Sequence, residues 1–407
     1  MEPIERIIMI YKDEIPLEQY FAAYFDCRKH KRGTMNALAF ELNYEEELVK
    51  LHDEVMRREY EIGSSIAFVV TRPKKREVFA ADFRDRVIHH LVMRKIEPLF
   101  ENSFIEDNYN CRIGKGNLYG LKRLHERLTS EGRMNPDTYI GKFDMQGFFM
   151  SIHKPTLWDM IKKLIDEQYK EFDKDTVLYL LEKIILHCPE TNCVRKSPSI
   201  MWRDIPNNKT LFRNGADYGL PIGNLSSQMF ANYYLHEMDT WLDEKFIYGR
   251  YVDDFYLIGD KKEILNVIPL IRERLHEINI NLHPRKWYLQ HWTKGCKFLG
   301  GVSKCGRLYV GKQTVYNSQI AVDEINEAID KKEYIEEVTQ RINSYLGYFG
   351  QFMTYGIRRD LIESLSREWY RYFYISGPSK KAVIRQYYKP TQILKREIHN
   401  QRILNNN

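Results

Sequence analysis

The alternation of apolar and polar residues divides the chain into helical and extended segments. Residues 1–60 carry apolar positions at helical spacing, in LEQYFAAYF and again in EEELVKLHDEVMRREY. The apolar run at 66–71 and the return through 78–79 predict a hairpin with a basic turn, followed by a helix. The segment YIGKFD predicts a strand that ends at Asp144. The first third of the chain therefore mixes both kinds of element.

The remaining two thirds continue this mixture. The patterns predict helical segments at 156–187, 261–279 and 317–375, an irregular insertion at 197–219, a tight loop in LPIGNLSSQ, and a hairpin in CKFLGGVSKCGRLYV. Helices and strands do not alternate as regular βαβ units. The order of elements therefore predicts an α+β fold rather than a doubly wound sheet.

Composition is that of a globular protein. The chain has 407 residues, 43% hydrophobic and 29% charged, which predicts two or three domains. There is no apolar run of about 18 residues and no signal-peptide pattern at the N-terminus, so we expect a soluble cytoplasmic protein without a membrane partner. The six cysteines are scattered without zinc spacing and are interpreted as reduced thiols.

Positive charge is concentrated at the C-terminus. The net charge is +6, and residues 379–407 contain seven Lys or Arg and one Glu. Tyr387 and Tyr388 lie among these bases, a composition that suits a phosphate backbone with occasional base stacking. A solvated basic terminus is equally consistent with the charge.

Two adjacent aspartates interrupt the strand-like segment YGRYVDDFYLIG. Asp is uncommon in strands, and Asp253 and Asp254 repel each other. With Asp144 they would place three carboxylates at strand ends, a ligand set that suits divalent cations such as Mg²⁺. Two such ions about 4 Å apart support in-line phosphoryl transfer. The alternative is that the pair serves only as hairpin-turn residues.

Several motifs together resemble those of reverse transcriptases. FDMQGFF, GLPIGNLSSQ and YVDD resemble the three central palm motifs, in the correct order. RPKKREVFAADFRDRVIHHLV is similar to the fingers motif and CKFLGG to the primer-grip hairpin. The closest resemblance is to the reverse transcriptases of diversity-generating retroelements, whose loop typically reads LPIGNLTSQ; here Ser226 replaces the Thr. RINSYLGYFGQFMTYGIRR resembles the thumb of that group, and the resemblance covers about residues 60–360.

The resemblance implies a right-hand polymerase that copies RNA into DNA. Its expected parts are an N-terminal helical segment (1–62), fingers (63–135), a palm (136–310) with a fingers-side insertion at about 171–218, a helical thumb (311–378) and a basic tail (379–407).

The resemblance also implies the catalytic groups. Asp144 and Asp253 would bridge two Mg²⁺ ions, for which Mn²⁺ is a possible substitute, and Asp254 would be a third carboxylate. The backbone carbonyl of Met145 would be a further metal ligand. Lys286 would protonate the departing pyrophosphate, although a simple surface lysine is the alternative.

Other residues would bind nucleotide and nucleic acid. Lys74 and Arg76 would hold the incoming dNTP triphosphate, and Phe149 would be the steric gate that excludes a ribose 2′-OH. Ser227 and Gln228 would contact the template, and the primer grip would include Phe298, Leu299 and Gly300. The alternatives are a solvated charge run for the two bases, a core position for Phe149 and a helix start for the Ser-Gln pair.

Ile222 departs from many reverse transcriptases, which have Gln at this position of the loop. An Ile offers no amide to hold the nucleotide or the base pair, so the resemblance implies error-prone copying, chiefly opposite template adenines. A packing role for Ile222 is the alternative.

The family further implies a template RNA from the same locus, the cDNA product and a small basic accessory protein that forms an oligomeric helical bundle. Two other reverse transcriptase classes compete: a phage-defence enzyme and a group II intron-like protein. The intron class is disfavoured because only about 100 residues follow the primer-grip hairpin. An RNA-binding scaffold with an inactive palm is disfavoured by the three intact aspartates.

Overall fold

The computed structural model describes residues 13–29, 34–71, 74–329, 335–377 and 380–388. The chain divides into two compact units, the first made of residues 1–120 and 138–289 and the second of residues 121–137 and 290–407. The start of the N-terminal segment, Pro73 of the basic turn and the tail from Lys389 onward lie outside the described residues.

Helices make up much of the first unit. They are α1 (Leu17–Arg28), α2 (Met35–Leu42), α3 (Tyr44–Met56), α4 (Phe83–Ser103), the start of α5 (Asn117–Met134), α6 (Phe148–Ser151), α7 (Lys154–Gln168), α8 (Lys174–Leu186), α9 (Ser199–Arg203), α10 (Leu225–Tyr233), α11 (His236–Asp243) and α12 (Lys261–Glu277). Aspartates begin two of them: Asp82 accepts a hydrogen bond from the Arg84 amide, and Asp260 accepts from the Lys262 amide.

A four-stranded sheet lies at the centre of this unit. Its strand order is β5 (Ile247–Tyr251), β6 (Asp254–Gly259), β3 (Tyr139–Asp144) and β7 (Tyr288–His291), the last of which crosses the boundary of the unit. Strand β6 is antiparallel to both β5 and β3. The strand interiors are apolar and buried, as at Phe143, Phe255 and Leu257. Acidic residues occur only where the strands end, so the buried sheet fixes the positions of the acids.

A smaller sheet carries the basic hairpin. Strands β1 (Ser65–Val70) and β2 (Arg76–Ala80) pair antiparallel, and β4 (Cys193–Arg195) adds to β1 in parallel. The three-residue strand β4 lies just before the segment predicted as an irregular insertion. That segment itself contains helix α9 and two short 3-10 turns.

The second unit has its own core. It contains most of α5, helices α13 (Lys312–Glu327), α14 (Ile335–Phe349) and α15 (Tyr355–Glu363), the meander β8 (Cys296–Phe298), β9 (Gly301–Lys304) and β10 (Arg307–Val310), and the hairpin β11 (Phe373–Ser376) and β12 (Lys381–Ile384). Phe298 is buried, and Leu299 and Gly300 form the turn into β9 with φ of +46° and +84°.

The α+β class predicted from the sequence is confirmed, but three details differ. The segment 156–187 is two helices, CKFLGGVSKCGRLYV is a three-stranded meander, and the segment predicted as helical to residue 375 ends in β11. Strand β12 lies within the predicted basic tail, so the first residues of that segment are folded. No helix among the described residues is long and apolar enough to cross a membrane.

Candidate active site

Three aspartates meet where β3, β5 and β6 end. The register of the sheet places Asp144 directly opposite Asp254, and Asp144 adds to the rise that burial causes in the pKa of Asp254. Asp253 lies in the two-residue turn between β5 and β6, and its backbone carbonyl accepts a 3.1 Å hydrogen bond from the Met145 amide. Asp254 is the first residue of β6, so the alternative of a pair of hairpin-turn aspartates describes Asp253 only. The pairing of the strands holds the three acids together.

The acids oppose one another's ionisation. Burial, and next the charges of Asp254 and Asp144, raise the pKa of Asp253 to about 6, while Arg76 acts in the opposite direction. Burial also raises the pKa of Asp254, although Lys142, whose ammonium lies 3.2 Å from its carboxylate, offsets part of that rise. The site therefore concentrates negative charge that its own lysines only partly neutralise.

This donor set fits divalent cations. Carboxylate oxygens are the ligands that Mg²⁺ prefers, and a dication would relieve the carboxylate repulsion that, after burial, raises the pKa of Asp253. Within the described parts of the chain, no three His, Cys, Asp or Glu side chains already stand as ligands around one metal position. Lys142 and Lys286 pair with Asp254 and Asp144 instead, at 3.2 and 3.0 Å. Metal binding would therefore displace these two lysines from the carboxylates.

A cleft of about 390 Å³ opens beside the acids. Its volume lies in the range of small-ligand sites. Nine of the residues predicted from the sequence line it: Lys74, Arg76, Asp144, Met145, Phe149, Ile222, Gln228, Asp253 and Lys286. Cations and carboxylates therefore line one and the same cleft.

The loop with Ile222 is fixed on the basic hairpin. The Ile222 carbonyl accepts a 2.8 Å hydrogen bond from the Phe79 amide of β2. Gly223 has a φ of +127°, and a Cβ there would lie 2.8 Å from the Phe79 carbonyl oxygen, so only glycine suits this close approach. The Ile222 side chain packs beside Phe79 and Met150 and also reaches the cleft. Both roles considered for Ile222 are thus compatible with its position.

Phe149, like Ile222, packs against buried residues and also lines the cleft. Its ring packs edge-on against Phe148 with centroids 5.8 Å apart, and it contacts the buried cluster of Phe79 and Leu211. It also lines the cleft, where a steric gate would have to lie.

The two residues predicted to contact the template differ in exposure. Gln228 is exposed and accepts a hydrogen bond from the Cys111 thiol, whereas Ser227 is only 3% exposed. Of this pair, only Gln228 is among the residues that line the cleft. The expected primer-grip residues Phe298, Leu299 and Gly300 belong to the second unit.

Two basic residues that contact the acids or their turn, Lys142 and Arg250, were not predicted from the sequence. Lys142 precedes Asp144 by two residues and therefore shares its strand face, a period-two signal that the sequence did contain. Arg250 is fully buried and forms a bidentate ion pair with Asp239, as well as a 2.9 Å hydrogen bond to the Asn232 carbonyl. An arginine inside an apolar strand is itself a signal, because such a charge is buried only when it is paired.

Comparison with known proteins places the chain in a family. The family model "Reverse transcriptase (RNA-dependent DNA polymerase)" matches residues 73–302. Protein YkfC of Escherichia coli (strain K12) is 20% identical over 296 residues, which cover 62% of this chain and 70% of that protein.

Two solved telomerase structures are also similar. The apo telomerase of Candida tropicalis has a TM-score of 0.45 and 12% identity over 76% of this chain, and this chain covers 62% of its length. The telomerase of Candida albicans in complex with a fragment of telomeric RNA has a TM-score of 0.44 and 12% identity over 82% of this chain, which covers 65% of its length.

The family match spans more than half of the 407 residues. It confirms the enzyme class and the fold class that the motifs predict, a nucleotidyltransferase of the right-hand polymerase type. The chain therefore belongs to the reverse transcriptase family, the RNA-dependent DNA polymerases.

Proposed function

We propose that this chain copies a template RNA into cDNA by two-metal-ion nucleotidyl transfer, as part of a diversity-generating retroelement. The observation that carries the proposal is the single cleft in which Asp144 and Asp253 lie beside Lys74 and Arg76. The primer 3′-OH would attack the α-phosphate of a dNTP at the acids, and the bases would bind the phosphates that leave as pyrophosphate.

The chain's own residues would divide this work. Asp144, Asp253 and Asp254, with the carbonyl of Met145, would hold two Mg²⁺ ions, or Mn²⁺ in their place. When bound, such ions stabilise the attacking and leaving oxygens. Lys286, whose Nζ lies 3.0 Å from the Asp144 carboxylate, would carry the proton that the leaving pyrophosphate needs.

Substrate selection would depend on Phe149 and Ile222. The Phe149 ring would occupy the space of a ribose 2′-OH, and Gln228 would contact the template. Because Ile222 supplies only apolar contact in the cleft, a mismatched pair would lose less transition-state stabilisation than it would beside an amide. We therefore infer frequent errors, mainly opposite template adenines.

The retroelement assignment rests on the loop LPIGNLSSQ and the thumb-like segment, and it brings two proposed partners. One is a structured template RNA, and the other is a small basic oligomeric accessory protein. A phage-defence or group II intron-like reverse transcriptase is the competing assignment. The remaining alternative is an inactive RNA-binding scaffold. A scaffold would not need Asp144, Asp253 and Asp254, whereas a copying enzyme would.

Primer extension on a defined RNA template with Mg²⁺ and dNTPs tests the proposal. The parent protein should extend the primer, and sequencing of the cDNA should reveal errors concentrated at template adenines. Absence of extension by a folded, pure protein would support the scaffold. Accurate copying of adenines would favour the defence or intron classes.

A further inference from the structure

The irregular segment between β4 and α10 reaches the active-site cleft. Asn208 and Lys209, in a short 3-10 turn, line the cleft with Lys74 and Arg76. Neither residue belongs to a motif that carries the family resemblance. Lys209 is exposed, so its ammonium group is accessible to a ligand in the cleft.

Four sets of contacts fix the position of this turn. The backbone oxygen of Asn208 would lie 3.1 Å from a Cβ added to Gly147, which has a φ of +59° and follows Asp144 by three residues. The Lys209 amide donates a 2.9 Å hydrogen bond to the Pro206 carbonyl, which closes the turn. The Lys75 ammonium lies 3.2 Å from the Asp204 carboxylate and so joins the segment to the basic hairpin.

The fourth contact set involves a buried acid. Glu77 on β2 is 2% exposed and accepts hydrogen bonds from the Thr210 hydroxyl at 2.6 Å and the Leu211 amide at 2.9 Å. Burial raises the pKa of Glu77, and these two hydrogen bonds act against that rise. Glu77 adjoins Arg76, and Thr210 adjoins Lys209. The same buried contact therefore positions two cations in the cleft from segments more than 130 residues apart.

We propose that Lys209 binds the triphosphate of the incoming dNTP, as a third cation beside Lys74 and Arg76. This inference rests on the proposed polymerase function and extends it to a segment outside the motifs. The α-phosphate must react beside Asp144 and Asp253, so the β- and γ-phosphates must lie in the remainder of the cleft, which these cations line. Charge-assisted hydrogen bonds to phosphate oxygens are the strong class of such contacts.

The neighbours of Lys209 favour a nucleotide over a nucleic acid strand as its ligand. Lys209 lines the cleft together with Lys74 and Arg76, the residues assigned to the triphosphate, and the cleft volume of about 390 Å³ is that of a small-ligand site. A contact to the template or primer backbone is the alternative, and it predicts a different kinetic effect.

Steady-state primer extension separates these possibilities. Lys209→Ala should raise the KM for dNTP about tenfold, leave kcat within about twofold, and leave the Kd of the primer–template unchanged. The inhibition constant of pyrophosphate should rise in parallel. Lys209→Arg should restore the KM to within about threefold. Arg203→Ala is the matched control, because Arg203 is exposed in the same segment and is not among the residues that line the cleft.

Equilibrium binding of dATP to the protein without primer–template tests the lysine independently of turnover. Weaker dATP binding by Lys209→Ala than by Arg203→Ala supports the inference, even if the parent protein extends no primer and the polymerase proposal fails. Equal dATP binding by the two variants and an unchanged KM would overturn it. A higher Kd for primer–template with an unchanged KM would assign Lys209 to the nucleic acid backbone instead.

Discussion

The guanidinium of Arg250 donates a 2.9 Å hydrogen bond to the Val252 carbonyl and so joins a buried ion pair to the turn that carries Asp253. Val252 has a φ of +57°, a conformation that a β-branched residue rarely adopts and that costs on the order of 1–3 kcal/mol. The first residue of a two-residue hairpin turn with such a φ is usually Gly. The bond to Arg250 therefore helps to hold a strained turn on which the position of Asp253 depends.

We expect Arg250→Lys to lower kcat by at least about tenfold, with little change in the KM for dNTP. Lysine keeps the charge but cannot contact Asp239 and the Val252 carbonyl together, because it lacks the planar fork of arginine. The measurement is steady-state extension at a temperature where thermal unfolding shows the variant to be folded.

Tyr248→Phe is the control for loss of stability alone. The Tyr248 hydroxyl donates a 2.6 Å hydrogen bond to the same Asp239 carboxylate but makes no bond to the turn. This variant should lose about 1–2 kcal/mol of unfolding free energy and keep its kcat. If the two variants lose kcat equally, the network contributes to stability only and does not position the turn.

Asp253→Asn should abolish extension and stabilise the metal-free protein. Activity should fall by several orders of magnitude because a metal-bridging charge is lost. In EDTA at pH 7 the unfolding free energy should rise by about 1–2 kcal/mol, because the raised pKa of about 6 means that the ionised Asp253 is destabilising in the folded state.

The sign of the pH dependence follows from the same shift. The folded protein holds the Asp253 proton more tightly than the unfolded chain, so the parent loses stability as the pH rises from about 4 to about 6. The Asn variant should therefore have its full gain in unfolding free energy over the parent above pH 6, and this gain should vanish near pH 4. Exposed Asp159, replaced by Asn, is the control for the loss of one carboxylate outside the acidic cluster. A variant less stable than the parent at pH 7 would contradict this account of the acidic cluster.

Local patterns predicted the elements that hold the acids. The strand-like apolar runs at 139–144 and 247–259 became the adjacent strands of the central sheet, and the helical spacing at 261–279 became α12. These segments have enough residues for a pattern to be visible. Strands β4, β7, β11 and β12 have three or four residues each, too few to show one, and none of them was predicted.

The missed site features depend on partners distant in sequence. Lys209 could not be placed in the cleft without the contact between Glu77 and Thr210, which are 133 residues apart. The burial of Arg250 depends on Asp239, which lies on helix α11 rather than on the strand. Charged side chains on short or irregular segments are placed by tertiary contacts, about which local sequence patterns carry little information.

Phe149→Val should admit ribonucleotides. Removal of the ring opens the cleft, so the preference for dNTPs, taken as the ratio of kcat/KM values, should fall by at least about tenfold while dNTP use persists. Phe212→Val is the matched control. Phe212 packs on the same buried cluster but is not among the cleft-lining residues, so this variant should lose stability and keep its sugar preference. Unchanged sugar preference in both variants would make Phe149 a core residue only.

The basic tail should be tested by truncation after Tyr388 rather than at residue 379. Removal of residues 389–407 spares β12, which pairs with β11 and packs Ala382 in the core of the second unit. If the removed segment binds RNA, the truncated protein should show a smaller slope of log K against log salt, by roughly 0.7–0.9 per lost phosphate contact. Truncation at residue 379 should also lower the unfolding temperature. An unchanged salt slope after the shorter truncation would leave 389–407 as a solvated terminus.

Ile222→Gln should raise fidelity, mainly at template adenines. The side chain lines the cleft while its backbone is fixed on β2 through the Phe79 amide, so the substitution should place an amide in the cleft without moving the loop. An amide that bonds only to a matched pair increases discrimination in the transition state. Sequencing of cDNA from one RNA template, with errors scored by template base, measures the effect.

Ile222→Met is the matched control, because methionine has nearly the length of glutamine and offers no amide. Errors at adenines should fall in the Gln variant and persist in the Met variant. Equal improvement in both would attribute fidelity to side-chain shape, and an unchanged spectrum in both would place the cause of infidelity elsewhere in the cleft.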